Sequence, residues 1–307
     1  MSSPTRTVFL GSGAFAVPVG EALHTQPEVD LVAVVTAPTR PGARGRPTDP
    51  PVADWAGEHG LPMLRPEKLR TEESIGAVAE LVPDLLVLAD YGQIVPAALL
   101  DLPKFGALNL HPSLLPRHRG ASPIPAAILA DDHETGVSLM LMDTGLDSGP
   151  LIKQRRFPLK GGETAPELEH ALAEVAAELL AVSLPAWLNS ELLPMPQAEE
   201  GMTLTRPLRR SDGRLDPRRD AIDLERQVRA YQPWPGTFFE SAEGRIAIWK
   251  ARAIDGEGVP GTIVDGPAIV TSDGLLELLE VQPAGGRRMS GDELVRGRSG
   301  LLGSAIQ

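Results

Sequence analysis

The sequence predicts an α/β protein with a doubly wound, mostly parallel sheet, followed by a smaller C-terminal β-barrel. Three observations carry this expectation. Continuous apolar runs of strand length alternate with helical stretches as far as residue 188, a proline-rich polar stretch follows, and short β-like runs bounded by Gly, Pro or Asp fill the remainder. Alternating strands and helices wind a parallel sheet, because each crossover lays a helix across one of its faces.

Residues 7–10 form a short apolar run that meets GSGAFAVP, and residues 17–23 begin a helix with Pro18 in its first turn, where a missing N–H costs little. The runs LVAVVT (31–36) and DLLVLA (84–89) read as strands buried on both faces, with helices between them near 52–59 and 72–81. ALNLH (107–111), GVSLMLM (136–142) and residues 151–157 continue the alternation into a Rossmann-like sheet. In 164–188, Leu168, Leu172, Val175, Leu179, Leu180 and Leu184 recur mostly at spacings of three or four opposite an acidic face, the pattern of a long amphipathic helix. NSELLPMPQAEEGMTLTRPL has three prolines and no sustained periodicity, so it reads as a linker. A first domain is expected over 1–189, a linker over 190–206 and a second domain over 207–307. After a helix near 221–231, GTFFE, RIAIWKARAI, GTIVDG, AIVTSDG and LLELLEVQP supply the strands of a small, OB-like barrel.

Bulk properties agree with two ordinary globular domains: 307 residues, 42% apolar and 23% charged. No apolar run approaches the roughly 18 residues that span a bilayer, and the opening MSSPTRTVFLGSG lacks the apolar core and cleavage site of a secretory signal. With no cysteine, disulfides, thiolate metal sites and a cysteine nucleophile are all excluded, and a cytoplasmic location is expected. The net charge of −12 argues against a nonspecific nucleic-acid coat, but it is unevenly spread. From Leu204 onward 15 Lys+Arg face 15 Asp+Glu, leaving 14 against 26 before it.

Few residue patterns here carry chemistry. GSGAFA lacks the third glycine of a dinucleotide fingerprint, since Ala16 stands there, and there is neither a phosphate-binding Gly-Lys loop nor a zinc-ligand spacing, so no metal is expected. Five histidines (His24, His59, His118, His133 and His170) fall in helices or polar loops and are expected at the surface. His111 differs: it ends an apolar strand two residues after Asn109, so the two side chains share a face at the strand's carboxyl end, where parallel sheets bind ligands. MDTGLDSG follows another apolar strand, and either Asp143 or Asp147 can bring a carboxylate to the same crevice. A turn-forming role competes for each.

The block GALNLHPSLLPRHRGASPIPAAILADDHETGVSLMLMDTGLDSGPLI (106–152) resembles the signature of folate-dependent formyltransferases: Asn-x-His, then Ser-Leu-Leu-Pro, then a later Asp. That core also occurs in purine-pathway transformylases, in formylfolate hydrolases and in enzymes that formylate amino sugars. FLGSGAFAVP, TAPTRPGARG and RAYQPWPGTFFE with RIAIWKA resemble the methionyl-tRNA formyltransferase family, over nearly the whole chain. A second domain carrying Pro233-Trp234-Pro235-Gly236 counts against the purine branch. The chain departs from that family at Arg46-Pro47, where lysines are usual, and at TLTRPLRRSDGRLDP, where a tyrosine and an acid-rich stretch are usual.

The resemblance implies a cytoplasmic transferase of translation initiation, in which Asn109, His111 and Asp147 are the catalytic residues. It implies 10-formyltetrahydrofolate as formyl donor and the α-amine of initiator methionyl-tRNA as acceptor, with no metal and no membrane, and a monomer. The folate would lie against the loop Ala89, Asp90, Tyr91, Gly92, Gln93, Ile94 and Val95, against Ser113, Leu114, Leu115 and Pro116, and near Asp143. The tRNA would meet Arg40, Arg44 and Arg46, together with Arg206, Arg209 and Arg210. The alternatives are an amino-sugar formyltransferase with the same core, or a noncatalytic folate- or RNA-binding module.

Overall fold

The computed structural model describes residues 3–41 and 47–306. The chain gathers into two compact units, one of Met1–Pro123, Glu134–Pro158 and Glu169–Thr205, the other of Ile124–His133, Leu159–Leu168 and Arg206–Gln307.

In the first unit, β1 (Thr5–Gly11), β2 (Val29–Val35), β3 (Met63–Leu64), β4 (Leu85–Ala89), β5 (Ala107–His111), β6 (Glu134–Leu141) and β7 (Leu151–Pro158) form one sheet. Their spatial order is β7-β6-β5-β4-β1-β2-β3. The first five are parallel, β6 runs against β5, and β7 runs against β6. The apolar runs are strands because both faces are covered. Phe9 packs edge-on against Trp55 on one side, while Val8, Leu10, Leu86 and Leu88 join Leu69, Val78 and Leu99 on the other. Trp55 belongs to α2 (Pro51–Glu58) and lies so close to Gly20 of α1 (Ala16–His24) that a β-carbon there would sit 2.9 Å from its ring. Val78 and Leu99 come from α3 (Glu72–Ala79) and α4 (Ala97–Leu100).

The strand order reverses direction between β1 and β4. This switch point opens a crevice beyond the strands' carboxyl ends, the place where doubly wound sheets bind ligands. The expected fold class is therefore met in the first unit.

Two further helices are α5 (Pro123–Leu129) and α6 (Ala165–Leu188). The latter qualifies the expectation that no stretch could span a membrane: its 24 residues are long and apolar enough to cross one. The apolar positions form a stripe, with Leu168, Leu172, Ala176, Leu179, Leu180 and Leu184 all buried in the protein.

The second unit contains α7 (Ala221–Ala230), then β8 (Thr237–Ser241), β9 (Gly244–Ile254), β10 (Ile263–Val264), β11 (Ala268–Val270), β12 (Leu275–Pro283) and β13 (Met289–Ser290), and α8 (Gly291–Gly297). The strands make one antiparallel sheet in the order β8-β9-β12-β11-β10, with β13 on β12. The expected barrel takes the form of this sheet, whose outer strands β8 and β10 do not pair with each other among the described residues. Alternation puts Ile246, Ile248, Leu276 and Leu278 inside with Phe239, against Leu224 and Val228 of α7. Ser290 caps α8 by accepting the Glu293 N–H, while Glu293 reaches back to the Ser290 N–H, a reciprocal capping box.

Phe239 is fully enclosed in this core. Phe239→Ala should lower stability by about 3–5 kcal/mol, since the transfer loss adds to the cavity left behind. Urea unfolding followed by tryptophan fluorescence measures it, and a loss below about 1 kcal/mol would mean that the core closes around the gap.

Candidate active site

Asn109 and His111 alternate on β5, so both side chains leave the same face of the sheet near its carboxyl end. His111 is only 5% exposed. Its Nε2 lies 2.9 Å from the His118 carbonyl oxygen. A carbonyl can only accept, so Nε2 carries the hydrogen and Nδ1 is left facing Asp147. The gap from Nδ1 to Asp147 Oδ2 is 3.7 Å, longer than a hydrogen bond, and becomes an ion pair when the imidazole is protonated. The Asp147 carboxylate accepts the Gly120 N–H at 2.8 Å on Oδ2 and the Asn109 amide at 3.5 Å on Oδ1. Imidazole and amide from β5 thus converge with a carboxylate from a separate loop.

Asp147 reaches this point by a detour. Because β6 is antiparallel to β5, it ends beside the amino end of β5, where Leu141 pairs with Leu108. The loop 142–150 is pinched at its base by the bonds Met142 N–H to Ala107 C=O and Leu141 N–H to Pro150 C=O. Its far part folds back onto Asn109 and His111, with Asp147 at φ 47°, a left-handed conformation that Asp tolerates better than most residues. Asp143 stays at the base, exposed, accepting the Gly145 N–H at 2.9 Å and the Ser148 hydroxyl at 3.0 Å. Of the two acids in MDTGLDSG, Asp143 holds the turn, while Asp147 meets Asn109 and His111.

The loop after β5 is set from below. Ser138 on β6 donates to the Ser113 carbonyl at 2.6 Å and accepts the Leu115 N–H at 3.0 Å, and Gln154 on β7 donates to both Ser138 Oγ and the Leu115 carbonyl. Leu115 is buried and Ser113 donates to the Arg117 carbonyl. His118, expected at the surface, is instead 6% exposed, with its N–H on Thr203 Oγ1. Ser138, Gln154, His118 and Gly120 all escaped the sequence reading. Ser138 alone carried a signal, as a hydroxyl inside the apolar run GVSLMLM.

In the loop after β4, Tyr91 and Gln93 turn inward. Tyr91 is buried in the core, where loss of hydration pushes its phenol up to about 12. Gln93 accepts the Leu69 N–H and donates to the Pro66 carbonyl, while Ile94 is 88% exposed. Among the arginines, Arg40 is in an exposed ion pair with Glu67, and Arg44 and Arg46 lie outside the described residues. Arg206 makes a two-pronged bond to Asp212, whose carboxyl that bond pulls down to about 2. Arg209 and Arg210 are exposed.

Residues 5–184 match the family model "Formyl transferase" and residues 207–299 match "Formyl transferase, C-terminal domain". The methionyl-tRNA formyltransferase of Myxococcus xanthus is 43% identical over 310 residues, covering 99% of this chain and 98% of that protein. That of Halorhodospira halophila is 42% identical, covering 98% and 99%. Among solved structures, the N-formyltransferase of Helicobacter canadensis in complex with folinic acid and dTDP-3-aminofucose matches with a TM-score of 0.64 and 18% identity, covering 89% of this chain and 97% of that one. At that identity the likeness is one of fold.

Asp90, at φ 42°, sits at the switch point, and its carbonyl accepts the Ser12 and Gly13 N–H groups. Its carboxyl lies over Gly13, where a β-carbon would come within 1.7 Å of it, so a larger residue there would displace the Asp90 side chain. Crowding by protein atoms, and then the nearby Glu169 carboxylate, push Asp90 up to about 6, although the residue keeps one side open to solvent. Glu169 is itself raised by burial, opposed by the Phe15 N–H. Because the folded value exceeds the unfolded one, Asp90 favours folding in its protonated form, and that contribution is lost as pH rises through about 6. Asp90→Asn should therefore gain in Tm over the wild type as pH rises from about 4 to 6.5. Thermal unfolding across that range checks this, and a pH-independent difference would refute it.

Proposed function

We propose that this chain, which belongs to the methionyl-tRNA formyltransferase family, moves the formyl group of 10-formyltetrahydrofolate onto the α-amine of methionine esterified to initiator tRNA. The products are N-formylmethionyl-tRNA, used to initiate translation, and tetrahydrofolate. One observation carries the reading: Asn109, His111 and Asp147 converge at the carboxyl end of β5, in a chain whose relatives align with it from end to end.

The folate fits the two loops beside the site. With Tyr91 and Gln93 turned inward, the loop after β4 offers main-chain donors and acceptors and the exposed Ile94 to a flat, polar-edged ring. Ser113 to Pro116 form the second wall. The donor supplies a formyl carbon bonded to a nitrogen that can leave.

Because Nε2 of His111 is held by His118, Nδ1 is the nitrogen free to exchange a proton. As the amine adds and the new C–N bond forms, the Asn109 amide and a protonated Nδ1 donate to the formyl oxygen that gains charge. Asp147 balances the charge of that imidazolium and accepts the proton shed by the amine. Asp147 then hands that proton to the departing folate nitrogen as its bond to the formyl carbon breaks, which returns the carboxylate to its starting state. Arg40, Arg44 and Arg46 serve phosphate contacts to the tRNA, and Arg209 and Arg210 add to them. Arg40 can leave Glu67 at little cost, since an exposed ion pair contributes little. Arg206 is held by Asp212 and contributes less.

The deciding experiment offers charged initiator tRNA and a nucleotide-linked amino sugar in parallel, with 10-formyltetrahydrofolate. Formylation of the tRNA alone is expected, and formylation of the sugar alone would overturn the reading. Asn109→Ala and His111→Ala should each lower kcat by roughly 10²–10³-fold, and Asp147→Asn should be comparably severe. Replacing Arg40, Arg44 and Arg46 together by Ala should raise KM for tRNA but not for folate. Fewer phosphate contacts mean a shallower salt dependence, so this defect should narrow as salt rises. A rise in KM for folate alone would refute the tRNA role of the loop.

A further inference from the structure

The stretch read from sequence as a linker is bonded along the first unit through Thr205. Met195 pairs with Leu151 in both directions, and residues 204–205 form a parallel ladder with 119–120. Within it, the Gln197 side-chain amide uses all of its hydrogen-bonding capacity. Oε1 accepts from Arg119 Nε at 2.9 Å and Nη2 at 2.7 Å, while Nε2 donates to the carbonyls of Asp147 at 2.8 Å and Gly149 at 2.7 Å.

Arg119 stands between the two backbone groups that hold the site: the His118 carbonyl, which receives the His111 hydrogen, and the Gly120 N–H, which binds the Asp147 carboxylate. One amide therefore ties the support of His111 to the turn that carries Asp147. The neighbouring threonines complete the support. Thr203 accepts the His118 N–H, and Thr205 donates to the Arg119 carbonyl and accepts the Ser122 N–H. Asp147 is held at positive φ, and a non-glycine residue keeps such a conformation only where its surroundings impose it.

We infer that Gln197 is a positioning residue for the formyl-transfer centre, setting the spacing of His111 and Asp147 through Arg119 and through the Asp147 and Gly149 carbonyls. This rests on the reading that Asp147 and His111 carry the reaction. The Gln197 amide is fully engaged by Arg119, Asp147 and Gly149, so its loss should appear in the chemical step and not in binding.

Gln197→Glu keeps the size and the acceptors for Arg119 but sets an acceptor against the two carbonyls. Gln197→Met removes every bond while keeping the length. Misplacing a reacting group by about 1 Å costs up to roughly 100-fold, so kcat should fall by about 10–100-fold in each, with KM for tRNA and folate within about twofold. In an Asp147→Asn background, either change should lower kcat by no more than about twofold further, because groups that act as one unit are not additive. The ¹⁵N signals of the His111 imidazole should shift in both single variants, and thermal unfolding checks that each is folded. Should Gln197→Met fail to fold, Gln197→Glu alone decides. Wild-type kcat in a folded variant, a raised KM with kcat intact, or a full multiplicative loss on top of Asp147→Asn would each overturn the inference while Asp147→Asn remains severe. If Asp147→Asn is itself near wild type, the reading of the centre fails instead.

Discussion

The 2.8 Å bond from the Gly120 N–H to the Asp147 carboxylate is the contact on which the geometry of the site turns. The carboxylate belongs to a loop anchored at the amino end of β5, and without this donor nothing in its own turn would direct it to the carboxyl end. The donor is available because Gly120 sits at φ 104° against Thr205, whose carbonyl oxygen would lie 2.2 Å from any β-carbon there. A side chain at this position would push the 204–205 ladder away and carry the N–H with it. The bond therefore depends on a glycine and on a segment more than eighty residues downstream.

The sheet supplies the other half of the geometry. Five parallel strands leave their carboxyl ends on one edge, and the reversal of order between β1 and β4 opens the crevice there. The single reversed strand, β6, gives His111 an antiparallel neighbour: Ser138 stands opposite it and holds the loop after β5 by two hydrogen bonds, with a third from Gln154. One strand direction thus serves two ends, anchoring the Asp147 loop at one and the Ser113 to Arg117 loop at the other.

The second unit balances its charges locally. Arg206, Arg218, Arg245 and Arg252 meet Asp212, Asp216, Glu240 and Glu277, in keeping with the equal numbers of acids and bases beyond residue 204. Two of its arginine guanidinium groups also lie over aromatic rings, Arg245 4.0 Å from Phe238 and Arg288 3.6 Å from Trp249. Such stacking holds planar cations flat on the surface at little entropic cost. Any phosphate recognition here would work by exchanging exposed ion pairs, which contribute little, for phosphate contacts.

Much of the fold was legible in the residues, because burial on both faces writes continuous apolar runs and burial of one face writes a stripe. LVAVVT, DLLVLA and the leucines of 164–188 state these directly. Asn109 and His111 were legible for the same reason: alternation on a strand fixes a shared face, and the strand's end fixes the crevice. The proposed role of Asp147 over Asp143 came from resemblance, since two acids four residues apart in one glycine-containing loop have no local feature to separate them. Their separation came from the direction of β6 and the bond to Gly120, both products of distant pairing. Gln197, Thr203 and Thr205 left no trace, because polar residues in an irregular, proline-rich stretch look alike whether they face water or a backbone carbonyl. The sequence by itself determined which side chains share a face and where the strands end, both consequences of local periodicity. Only the tertiary structure decided which carboxylate meets His111 and what holds it there, because hydrogen bonds between segments far apart in the chain depend on how the strands pair.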